Sequence, residues 1–102
     1  MENNEQLLAN KPKEEFKVKQ TVNMYSIKDN AAGTFGAPFV APNDAMAKRM
    51  LQATMQQPKN QINAFAEDFE LWKIGIYDEE TAEIIKDIQK IANAIDFKSK
   101  GE

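Results

Sequence analysis

The chain has 102 residues, 42% of them hydrophobic and 28% charged, and a formal net charge of −3. That length allows one small domain with one modest core, and the composition is that of a folding chain rather than a disordered one. With neither Cys nor His, the chain lacks the usual ligands of zinc, iron–sulfur and haem sites, any disulfide framework, and every nucleophile–histidine pair.

Residues 1–15 are rich in Asn, Glu and Lys and read as a mobile N-terminal arm, residues 16–97 as a single domain, and residues 98–102 as a polar tail. Nothing near the N-terminus is apolar enough for a signal peptide or a membrane span, so a soluble cytoplasmic protein with no membrane contact is expected. From Phe16 the order Phe16, Val18, Gln20, Val22, Met24 alternates with Lys17, Lys19, Thr21, Asn23, the period of a half-buried strand. At Met24-Tyr25-Ser26-Ile27 the apolar parity switches, which requires either a bulge or a strand covered on both faces.

Asp29-Asn30-Ala31-Ala32-Gly33 supplies turn residues, and Gly36 precedes an extended piece held between Pro38 and Pro42. Asn43 can cap a helix and Asp44 places negative charge at its positive end. Met46, Ala47, Met50, Leu51 and Thr54 share one helical face and Lys48, Arg49, Gln52 and Gln56 the other, until Pro58 stops the helix. Ile62 and Phe65 suggest a short helical turn before Phe69–Tyr77, a segment dense in aromatic and β-branched residues and apolar on both parities, as in a central strand. Gly75 within it points to a bulge or a close backbone approach.

Asp78-Glu79-Glu80-Thr81 is polar enough to turn. Beyond it, Ile84, Ile85, Ile88, Ile91, Ala92 and Ile95 fit a helical face, although Thr81–Lys86 also suits a returning strand. The expectation is a hairpin return over Thr81–Ile85, then a helix near Ile88–Ile95. The whole is an α+β fold, a small antiparallel sheet of about three strands in β-α-β-β order, packed on one main amphipathic helix, with a short C-terminal helix.

Chemistry is sparse. Glu67, Asp68, Glu70, Asp78, Glu79 and Glu80 are the available acids or bases, and such clusters at strand ends and turns are usually solvated. The acidic turn lacks the ligand spacing of a calcium loop, and no phosphate-cradling glycine motif is present. No enzyme, metal or cofactor is expected. Residues 11–59 hold eight Lys or Arg against four acids, while 60–102 hold five against ten. This basic middle, with its aromatics, permits single-strand binding by stacking and phosphate contact. The candidates are Lys17, Lys19, Tyr25, Lys28, Phe39, Lys48, Arg49, Trp72 and Lys73, with Phe35 and Tyr77 as further rings. The competing expectation is that most of these rings are core, because a small domain needs their buried area.

Three blocks carry a resemblance: Met24–Asp29, Ala37–Ala45 followed by Arg49, and Glu67–Asp78. In that order and spacing, over about residues 22–97, the chain resembles the small nonstructural protein of gokushovirus-like microviruses, which are tailless single-stranded DNA bacteriophages. It departs from that pattern in some twenty extra residues before the first block and in Ala66, where relatives tend to have proline. The resemblance implies a protein made in the cytoplasm of the infected bacterium, absent from the finished capsid, and labelled as binding DNA or assisting genome synthesis and packaging. It implies no particular site residues. Two functions are therefore expected: a nonstructural accessory protein binding single-stranded DNA weakly during replication or packaging, or an interaction module for a phage or host protein or a second copy of the chain.

Overall fold

The structure, a computed structural model, describes residues 20–98. The expected N-terminal arm, Phe16 to Lys19 of the first strand, and residues 99–102 of the tail lie outside the described residues. Strand β1 (Thr21–Asp29) turns through Asn30–Gly33 into the two-residue β2 (Thr34–Phe35). The turn is built by Asp29, whose side-chain oxygen accepts from the backbone of Ala31 and Ala32 at 3.0 and 3.2 Å. Gly33 closes it at φ +74°, a conformation that side chains disfavour, donating to the Asp29 carbonyl at 2.7 Å. β3 (Phe39–Ala41) follows between the two prolines and pairs with the other half of β1.

Helix α1 (Asp44–Met55) starts at Asn43, whose side chain accepts from the Met46 backbone at 2.9 Å, satisfying one of the free donors of the first turn. A four-residue α2 (Gln61–Ala64) and a 3₁₀ turn (Ala66–Asp68) lead into β4 (Phe69–Asp78). The chain then turns at Asp78, whose side chain accepts from Glu80 and Thr81, and returns as β5 (Ile84–Asn93), ending in a 3₁₀ turn over Ala94–Phe97. No helix among the described residues is long and apolar enough to cross a membrane.

The five strands form one antiparallel sheet in the order β2-β1-β4-β5, with β3 also on β1. This corrects the expected three-stranded β-α-β-β arrangement with a C-terminal helix. Two strands are added ahead of α1, and the segment from Ile88 expected to be helical instead extends the hairpin return as the ten-residue strand β5. Its apolar spacing fits a helix, but ten residues of β4 offer it a ladder of backbone partners, and β-branched isoleucine suits that setting. Tertiary pairing overrides the local period.

The parity switch in β1 is that of a strand apolar on both faces: β1 runs without an extra residue, with Val22 and Met24 on one face and Tyr25 and Ile27 on the other. The bulge lies opposite, in β4, where Met24 pairs with Gly75 and Tyr25 with Lys73 and Ile74 is the extra residue. Gly75 is also a close approach, since a Cβ there would stand 2.8 Å from the Ile85 carbonyl oxygen. The core lies between the sheet and the helical elements, where Ala47, Leu51 and Met55 of α1 meet Tyr25, Ala41, Leu71, Ala66 and Ala94. The buried stripe of α1 is thus rotated from the expected one. Met46 and Met50 remain 38% and 40% exposed, because small Ala41, Ala66 and Ala94 admit the 47-51-55 row instead.

Candidate functional site

β1 and β4 decide where each candidate side chain lies, because alternate residues point to opposite faces of the sheet. Tyr25 points to the helix side and is fully buried. Its hydroxyl donates to Asp44 Oδ1 at 2.6 Å and accepts from Asn23 Nδ2 at 3.0 Å. Burial and the neighbouring carboxylate push its pKa up to about 12. Phe39 stacks on it, with ring centroids 5.8 Å apart, and lines an open cleft of about 280 Å³ with Ile27, Met50, Leu51, Thr54 and Ile62. Lys73 sits opposite Tyr25 and is tied to Asp87 at 3.0 Å. Lys48 and Arg49 belong to α1, the first half-buried and the second exposed. Lys17 and Lys19 lie outside the described residues.

Lys28 and Trp72 lie together on the other face, which none of the described helical elements covers. Register places Ser26 beside Trp72, Lys28 beside both Glu70 and Phe35, and Trp72 beside Lys90. The Lys28 Nζ stands 5.6 Å from the Phe35 ring centre and 5.5 Å from that of Trp72, within reach of cation–π attraction. The two rings meet edge to face with centroids 5.8 Å apart. The indole N–H donates to Glu70 Oε1 at 2.8 Å, and Glu70 Oε2 holds Lys90 at 3.3 Å. The Glu70 carboxyl is held below its ordinary pKa by the hydrogen bond from Trp72, then that of Asn30, with Lys90 adding to both. Ser26, fully buried on this face, donates to the Gly36 carbonyl at 2.8 Å and fastens the β2–β3 connection.

The same register continues this face toward the far end of the sheet with Met24 beside Val40, Tyr77 between Val22 and Ile84, and Lys86 beside Gly75. Phe35, Val40 and Ile84 are 46%, 47% and 59% exposed. The open face is therefore a shallow surface of rings and aliphatic side chains with Lys28, Lys86 and Lys90 set among them and Glu70 as the acid in direct contact with its ring cluster.

Of the nine residues singled out in the sequence, the structure brings Lys28 and Trp72 together and parts them from Tyr25, Phe39 and Lys73 by the thickness of the sheet. Phe35, read only as a further ring, completes the cluster. Lys86 and Lys90 were missed because their segment reads as hairpin and helix, and only its pairing with β4 puts both on the face of Trp72.

No curated protein and no solved structure matches the chain. Residues 22–97 match the family model described as Phage ORF5 protein, three quarters of the sequence and all of the sheet but Thr21, and the chain belongs to that family of bacteriophage proteins.

Proposed function

We propose that this is a non-enzymatic accessory protein of a microvirus, acting in the cytoplasm of the infected bacterium, where it binds single-stranded DNA weakly on the open face of its sheet during genome replication or packaging. The observation that carries this reading is the cluster of Phe35, Lys28 and Trp72, two rings and a cation on a sheet face that no described helical element covers. Bases stack on such rings with little regard to sequence, and each stacked base contributes about 1–3 kcal/mol. Lys28, Lys86 and Lys90 supply phosphate contacts beside them, Lys90 less strongly because Glu70 already holds it. Membership of a phage family supports the setting.

Trp72 is the sole tryptophan and reports on its own site. Titration with oligothymidylate is expected to quench its fluorescence. With three lysines engaged, the logarithm of the binding constant falls against the logarithm of salt with a slope of about −2. Phe35→Ala should weaken binding roughly tenfold or more, in line with the cost of losing one stacked base, and Lys28→Ala should weaken it and flatten the salt slope by about 0.7, while Arg49→Ala on α1 should leave it unchanged. Absence of salt-dependent quenching in the wild type would refute the reading.

A further inference from the structure

Among the described residues β5 pairs with β4 alone, so a ten-residue edge presents its outer backbone N–H and C=O groups to solvent. Such an edge is a template for another strand unless something blocks it. Of the usual blocks the strand carries two register shifts against β4, at Asp87–Ile88 and at Ile91, while the others are absent or turned away. No proline occurs in 84–93, and two of the three charged side chains of β5 reach back onto β4, Asp87 to Lys73 and Lys90 to Glu70.

What remains outward is apolar, with Ile84, Ile85 and Ile88 exposed by 59%, 50% and 46%. Ile84 and Ile85 are consecutive in an extended strand and point to opposite faces. A ligand lying on one face would cover one of them, whereas a strand added in the plane of the sheet brings side chains against both.

The sequence of β5 indicates which strand fits. About Ile88 it is symmetric in character: Gln89 answers Asp87, Lys90 answers Lys86, and Ile91 answers Ile85. Two copies paired antiparallel about a twofold axis normal to the sheet keep each residue on the same face as its opposite number. Ile88 then meets its own copy, and Ile85 meets Ile91 twice. Lys86 opposite Lys90 is the unfavourable pair, offset by the bond of Lys90 to Glu70.

We propose that the chain associates with a second copy through antiparallel pairing of the two β5 edges centred on Ile88, making one continuous sheet across the pair. The test is analytical ultracentrifugation of the full-length protein without DNA, so its outcome is independent of the reading of Trp72 and Lys28. The expected result is a concentration-dependent species of twice 11.6 kDa in the micromolar range. Ile88→Lys, which sets two like charges directly opposite, should weaken association by roughly tenfold or more. Circular dichroism should show that the variant keeps its fold, since the side chain is already half exposed. Ile85→Lys is the second variant should the first fail to fold. A wild type that stays monomeric to the highest concentration, a larger assembly in its place, or a dimer that a folded variant leaves unchanged would each overturn the proposal.

Discussion

The Tyr25 hydroxyl lies between two polar partners, donating to Asp44 and accepting from Asn23, and it ties the middle of β1 to the first turn of α1. Asp44 is exposed and can turn to water when the hydroxyl is removed, so Tyr25→Phe is expected to cost only about 1–2 kcal/mol in chemical denaturation. The raised pKa gives a second readout. An unfolded tyrosine ionises near its ordinary value of 10.0 while the folded one holds its proton to about 12. The folded state therefore binds more protons between those values, and the contribution of Tyr25, complete below pH 10, is lost as pH rises toward 12. Thermal melts across that range should show a steeper alkaline decline in wild type than in Tyr25→Phe.

At the scale of elements, the hairpin of β4 and β5 depends on Gly75. Its missing Cβ lets the Ile85 carbonyl approach where both neighbouring ladders shift register. The obstacle to a side chain is backbone, which cannot swing aside as the end of a side chain can. Gly75→Ala should accordingly cost about 1–3 kcal/mol, the range found for overpacking, and should raise amide exchange first in β5. Helix α1 is held differently, by the Asn43 cap and by the Ala47-Leu51-Met55 row against the sheet. Signals for the cap, the proline beyond the last turn, the Asp29–Gly33 turn and the special role of Gly75 are all legible in the sequence, because each acts within a few residues of itself. The identity of β5 is not, since isoleucines at helical spacing satisfy a helix equally well until β4 is present to receive them.

Across the whole molecule, a twofold axis normal to the sheet would set the open faces of two copies side by side. Lys86 and Lys90 of both chains would then meet at the seam, between two Phe35–Lys28–Trp72 clusters. DNA long enough to cross the seam would engage up to six lysines, steepening the salt slope from about −2 toward −4. Comparing wild type with Ile85→Lys, whose new charge lies on the Tyr25 face beside Ile76 and away from the open one, on long and short oligonucleotides checks this. The two should differ on long strands and agree on short ones.

The sequence by itself determined the local geometry: where the helix is capped and stopped, where the chain turns, and which position in β4 marks a bulge or a close backbone approach. The resemblance in its three blocks pointed to a phage protein, and the family match of residues 22–97 agrees with that much. Only the tertiary structure decided which face each aromatic occupies. Tyr25 and Trp72 look alike in the sequence, one ring in each of two strands, yet the first is sealed beneath α1 and the second stands on the open side. The reason is that strand parity is local, whereas the side on which a helix lands depends on how the bulge at Ile74 and the long-range pairing of β1 with β4 orient the sheet.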